Sequence, residues 1–116
     1  GVKELKNHVF VKHINGPLFF GFTSEFQQLS KQIPESAKIV VIRMDRMPYM
    51  DQSGLYALED MIVGLQESKK SVLFVQPQSQ PRFMMERIDI IPDLIPENRI
   101  FENFKDCLAW IQKEKN

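Results

Sequence analysis

The stretch Met47-Pro48-Tyr49-Met50-Asp51-Gln52-Ser53-Gly54-Leu55 constrains the fold more than any other part of the chain, because it joins two segments of different hydrophobic period. Ahead of it, Lys38-Ile39-Val40-Val41-Ile42-Arg43-Met44 is short, β-branched and continuously apolar, the pattern of a strand covered on both faces. Behind it, Leu55, Leu58, Ile62 and Leu65 recur at three-and-four spacing, the buried stripe of a helix. Asp51 stands where its carboxylate can accept from a first-turn amide, and Gly54 lets another backbone come close. A helix start of this kind offers unpaired amides and a partial positive charge. It reads as a docking or switch surface, not a reaction centre.

With 116 residues and 43% hydrophobic content, residues 1–116 form one globular domain with a real core and no linker. Fifteen basic and fifteen acidic side chains cancel, so no broad field exists to attract a nucleic acid backbone or an anionic membrane. Partners are then found by shape and local polarity. A single cysteine, Cys107, excludes an internal disulfide and a multi-thiolate zinc site, which fits a reducing compartment. The apolar runs around Ile39 to Ile42 and Val72 to Val75 are too short to cross a bilayer, and no signal-peptide pattern opens the chain. The piece is expected to be soluble and not to insert into a membrane. Its start, Gly1-Val2 without a methionine, suggests a portion cut from something longer.

The periodicity predicts a strand over His8 to Ile14, a tight turn at Asn15-Gly16 and a returning strand at Pro17-Leu18-Phe19-Phe20, an opening hairpin. Thr23 or Ser24 caps a helix running through Phe26, Leu29 and Ile33, which Pro34 ends. After the helix that starts near Asp51 comes a buried strand, Ser71-Val72-Leu73-Phe74-Val75, then a loop over Gln76 to Ser79. Pro81 suits the first turn of a further helix, extended by Phe83, Met84, Arg87 and Ile88. The segment from Asp89 to Asn98, with Pro92 and Pro96, should be irregular before a short strand at Arg99-Ile100-Phe101. Asn103 caps a last helix with Phe104, Leu108 and Ile111 as its stripe and Cys107 and Trp110 at the edges, and Lys113 and Lys115 suit its carboxyl end. Strands alternating with helices after a hairpin imply an α/β sandwich with a mixed, largely parallel sheet.

A search for chemistry finds little. The five glycines are scattered and form no phosphate-cradling loop. His8 and His13 lie five apart on a presumed strand, so they face opposite sides and cannot share a metal. Cys107 reads as an inert, half-buried thiol. Asp45 and Asp51 could be imagined as an acid and base, but with no partner group the pair is weak evidence. For Asp51, capping alone and capping combined with a contact role both stay open. Met44, Met47, Met50, Met61, Met84 and Met85 are mostly ordinary core. Met47 and Met50 nevertheless sit in the loop with Pro48 and Tyr49, where at least one apolar side chain should stay near solvent. Tyr56 and Val63 project from the helix side opposite the leucine stripe and extend that patch; scattered surface apolar residues are the alternative.

Over nearly its whole length the chain resembles a STAS domain, the module shared by sulfate transporters and anti-sigma-factor antagonists. The opening strand, Gly16-Pro17-Leu18-Phe19-Phe20-Gly21, the strand ending in Arg43-Met44 and the loop Met47-Pro48-Tyr49-Met50-Asp51 look like the version carried by bacterial sulfate permease family anion transporters. The resemblance implies a STAS-like, anti-sigma-factor antagonist-like α/β sandwich, a mixed, largely parallel sheet with about four helices. In the antagonist branch a kinase phosphorylates the serine or threonine directly after the loop aspartate. Here the aspartate falls on Asp51 and the glycine on Gly54, but Gln52 holds the acceptor place and Ser53 follows it. That departure weighs against a phosphoswitch and leaves Ser53 as the phosphosite candidate. The transporter branch implies a noncatalytic regulatory domain, not an enzyme and without a cofactor, cut from the C-terminal end of a membrane carrier at the cytoplasmic face of the inner membrane. Its partners would be the carrier's transmembrane domain and a cytosolic protein, in a carrier that is homodimeric at full length, with no nucleic acid. The contact residues expected are Met47, Pro48, Tyr49, Asp51, Gln52, Ser53, Gly54, Tyr56 and Val63. The rival readings are a freestanding antagonist switched at Ser53 and a nucleotide-binding module using Asp51.

Overall fold

The continuously apolar runs become the two central strands of a sheet. The computed structural model describes residues 8–14, 29 and 31–115. Within them, β1 (Val9–His13), β2 (Ile39–Arg43), β3 (Ser71–Val75) and β4 (Ile100–Phe101) form a four-stranded sheet in the order β1-β2-β3-β4. Every pairing is parallel, with Val40 opposite Val72 and Ile42 opposite Phe74. Helix α1 (Gln52–Glu67) connects β2 to β3, and α2 (Ser79–Arg87) follows β3. A terminal helix, α3 (Phe104–Lys115), closes the chain.

Because side chains alternate along a strand, β2 and β3 split their residues between two cores. Val40, Ile42, Val72 and Phe74 pack in one core with Leu55, Leu58, Met61, Ile62 and Leu65 of α1 and Met85 of α2. Ile39, Val41, Leu73 and Val75 pack in the other with Cys107 and Ile111 of α3. Burial on both sides is why these strands carry no polar alternation. The stripe expected on α1 is the buried one, with Met61 and Gly54 added.

β1 lies where the first strand is expected, but it pairs in parallel with β2. Its expected hairpin partner at 17–20, the turn Asn15-Gly16 and the helix-start residues Thr23, Ser24 and Phe26 lie outside the described residues. Leu29 and Ile33 are buried, as the next helix requires. The irregular segment holds a π-helical turn, Ile90–Leu94, and a 3₁₀ turn, Glu97–Arg99. That 3₁₀ turn takes up Arg99, so β4 begins one residue later than expected. Ile90, Ile91 and Ile95 are core residues, a contribution masked in the sequence by the neighbouring prolines. In α3 the Asn103 side chain accepts from the Asp106 amide at 2.8 Å, the cap the sequence predicts. Cys107, however, sits at the centre of the buried stripe and not at its edge. Cys107 and Ile111 are one turn apart facing Val41 and Val75, while Phe104 and Leu108 are only partly covered.

Lys70 stitches the two sides of the β2 approach together. Its Nζ donates to the carbonyl oxygens of Pro34, Glu35 and Ala37, acceptors left over where a helix ends and the chain turns toward β2. Replacing Lys70 with Met keeps the stem and removes the donors. The variant should lose about 1.5 to 3 kcal/mol of stability, the range for hydrogen bonds to a charged group, read as a lower urea midpoint with an unchanged m-value.

Candidate functional site

Beyond β2 the chain descends into the loop by burying every third residue. Met44, Met47 and Met50 are each fully inaccessible. The thioether side chains fill irregular space under the loop, and the residues between them are turned outward. Met47 and Met50 are therefore not the apolar groups left near solvent. Tyr49 fills that place at 42% exposure, beside exposed Pro48. Met47 supports the surface from below and is not part of its face.

Backbone bonds and two glutamines hold the loop in shape. The Met44 amide donates to the Val75 carbonyl at 2.8 Å, and the Met47 amide to Met44 at 3.1 Å. Gln80, on the first turn of α2, receives the Met50 amide on Oε1 at 2.8 Å and donates through Nε2 to the Met50 carbonyl at 2.9 Å. Gln78 donates to the Asp45 carbonyl at 2.8 Å. Gln80 and Gln78 position the loop, a role that sequence reasoning missed. The signal was an amide-rich run, Gln76-Pro77-Gln78-Ser79-Gln80, legible as a loop but not as a clamp on another loop 30 residues away.

Asp51 caps α1 as expected: its backbone is extended and its Oδ1 accepts from the Gly54 amide at 2.8 Å. Gly54 is buried, whereas Asp51 and Ser53 are half-buried and Gln52 is exposed. Gln52 reaches one turn along to donate to the Tyr56 hydroxyl at 3.1 Å. Tyr56, 45% exposed, and Val63, 37% exposed, lie two turns apart on the outer side of α1. Phe83 of α2, one turn beyond Gln80, is more exposed still at 57% and has the Arg87 guanidinium 5.9 Å from its ring centre. It was read only as part of a helix.

The structure does not bring Asp45 and Asp51 together in a shared role. Asp51 is taken up by its cap, while Asp45 faces His13, with Oδ1 3.7 Å from Nε2. Partial burial, together with the Arg43 and Arg46 cations, holds the His13 pKa below its ordinary value, against the opposing pull of Asp45. His13 is thus neutral near pH 7 and makes no strong ion pair. His8 lies just ahead of β1, which begins at Val9, so strand alternation does not relate it to His13; among the described residues no group of three or more His, Cys, Asp or Glu could hold a metal. No helix among the described residues is long and apolar enough to cross a membrane.

Two outcomes follow from this chemistry. Asp51→Ala should lower stability by about 1 kcal/mol through the lost cap, with Asp51→Asn close to the parent because asparagine caps equally well; urea titration of the three proteins measures it. Burial pushes the Cys107 thiol up to about 11, against a smaller opposing effect of Arg43. The folded state therefore favours the thiol, and stability should fall as pH rises from the ordinary value of 9.0 toward about 11. At pH 8 a thiol reagent should modify Cys107 only at the rate of unfolding, and fast labelling of the native protein would refute the buried assignment.

A family model described as STAS domain matches residues 2–107. The chain is similar in structure to a sulfate transporter family protein from Wolinella succinogenes, with 27% identity, a TM-score of 0.79, and coverage of 90% of this chain and 84% of that one. It is similar also to the STAS domain of a SulP transporter from Vibrio cholerae, with 25% identity, a TM-score of 0.77, and coverage of 92% and 83%. The anti-sigma factor antagonist SpoIIAA, in its unphosphorylated form, shares the fold at 12% identity and a TM-score of 0.72, over 92% of this chain and 90% of that one. No curated protein sequence matches the chain significantly.

Proposed function

We propose, from the premise that this chain belongs to the STAS domain family, that it is the noncatalytic regulatory and docking domain of a sulfate permease type anion transporter, held at the cytoplasmic face of the membrane. The observation that carries this reading is its likeness, over most of both chains, to a sulfate transporter family protein and to a SulP transporter STAS domain. The docking face is formed by Tyr49 on the loop and by Gln52, Tyr56 and Val63 on α1. Met47, the Asp51 cap and Gly54 support it, and Pro48 and Ser53 lie at its rim.

A surface already fixed before contact loses little conformational entropy when a partner binds. The Met44, Met47 and Met50 anchors, the Gln80 clamp and the Asp51 cap supply that preorganisation. Tyrosines add large contact area with few rotatable bonds and keep a polar tip for water or a partner. The same commitments argue against catalysis at the loop: its carboxylate caps a helix, and no nucleophile and base stand together there. The surface works constitutively, since Gln52 fills the place of the antagonist phosphoacceptor and Ser53 is half-buried at the second position of α1. The primary partner is the transmembrane domain of its own carrier, in a homodimeric assembly, with a cytosolic protein as the second partner.

The test uses the double variant Tyr49→Ser/Tyr56→Ser, in which both side chains are exposed and the core is left intact. The variant should bind the membrane domain of its parent carrier at least tenfold more weakly, while remaining folded with at most a small drop in its unfolding midpoint from the lost Gln52–Tyr56 hydrogen bond. Unchanged binding would remove the tyrosines from the interface. A parent gene lacking several upstream apolar spans of about 20 residues would overturn the transporter assignment itself.

A further inference from the structure

The loop between β2 and α1 is gripped at two points by one short segment at the start of α2. Near the end of β2, Gln78 Nε2 donates to the Asp45 carbonyl at 2.8 Å. Just ahead of α1, Gln80 meets both backbone groups of Met50, its Oε1 taking the amide at 2.8 Å and its Nε2 giving to the carbonyl at 2.9 Å. Gln78 stands at the N-cap of α2, yet its side chain makes no capping bond. Its amide reaches across to the loop instead.

The chemistry of this grip is specific. A primary amide carries an acceptor and donors on one carbon, so it can pair with the N–H and C=O of a single residue as a neighbouring strand does. A carboxylate of the same shape has acceptors only and would set an oxygen against the Met50 carbonyl. Both sides of the contact are anchored. The Met50 side chain is fully inaccessible, and α2 is held by buried Pro81 and Met85 and by Arg82, whose Nη2 lies 2.6 Å from both carboxylate oxygens of Glu97. Met50 follows Tyr49, 42% exposed, and precedes Asp51, the cap of the helix that carries Tyr56. The residue gripped therefore sits between the two tyrosines of the docking face.

We propose that Gln80 is the positioning residue of that face: its amide fixes the Met50 backbone, and through it the Tyr49 ring relative to Tyr56, an inference that deepens the docking reading and rests on it. Without the grip the loop samples more conformations, and a partner has to order it on binding. Affinity then falls although both tyrosines are still present.

Gln80→Glu separates this role from helix stability, because a carboxylate in the first turn of a helix is favoured by the helix dipole. α2 keeps its stability while the donor to the Met50 carbonyl is lost. In the isotope-labelled chain at neutral pH, the amide shifts of residues 45–52 should move away from those of the parent, with the strands unchanged. Protection of the Met50 amide against exchange should fall about tenfold, the size of effect expected for one hydrogen bond. On acidification the introduced carboxyl takes a proton and regains a donor. Because that hydrogen bond favours its neutral form, its pKa rises above the usual carboxyl value of about 4.3. Compared with the parent at each pH, the loop shifts should therefore return as pH falls below about 5. A role confined to helix stability predicts no such recovery. Gln80→Leu, with neither donor nor acceptor, should loosen the loop at every pH.

Both variants should bind the membrane domain of the parent carrier about two- to tenfold more weakly at neutral pH, the cost of ordering a side chain or two. A Gln80→Glu spectrum that matches the parent at neutral pH overturns the positioning role whatever the partner. Loosening of the loop with undiminished binding overturns its part in docking and counts against the tyrosine face. Failure of the parent chain itself to bind overturns the docking reading, and the loop spectra still decide whether Gln80 sets the loop.

Discussion

The structure depends on burial of both faces of β2 and β3. From Ile39 to Ile42 and from Val72 to Val75 every side chain is buried, so each strand is held by two layers at once and neither layer can slide without exposing the other. A one-residue slip in register would exchange the residues facing α1 with those facing α3. The two sets differ at their largest member: Phe74 joins Val40, Ile42 and Val72 on the α1 side, while Leu73 joins Ile39, Val41 and Val75 on the side of α3, which contributes the small Cys107 at its centre. The asymmetry fixes the register and therefore fixes where β2 ends and the loop begins.

Once the end of β2 is fixed, the loop has little freedom. Three methionines drop into the core at spacings of three, the Gln80 amide closes on the backbone of Met50, and Asp51 starts α1. Rigidity of the loop and exposure of Tyr49 share one cause, since burying Met47 and Met50 turns the residues between them outward. Asp45 stands at the carboxyl edge of the same sheet, where Gln78 binds its backbone and its carboxylate turns toward His13.

Much of this was legible in the residues. The apolar runs named the central strands, the leucine spacing named the buried side of α1, and Asp51 and Asn103 were recognisable caps, because each of these signals is local and repeats at the period of the element it specifies. The loop's outward face was only half legible. Met47 and Tyr49 are both large and apolar, and nothing in their order says which is covered; the answer came from space beneath the loop. Phe83 was hidden because a phenylalanine on a helix reads as core, and the Gln80 clamp because its partner is 30 residues distant. Ile90, Ile91 and Ile95 went unrecognised as core because the prolines around them break the periodic signal.

The sequence alone determined the alternation of strands and helices, the helix caps and the family resemblance, all of which rest on short-range patterns of hydrophobicity and backbone preference. Tertiary structure decided which methionines are buried, that Cys107 lies at the centre of α3's stripe, and that Gln80 closes on the backbone of Met50. These are decided by packing between segments far apart in the chain, where the free energy of filling a shared volume belongs to no single stretch of residues.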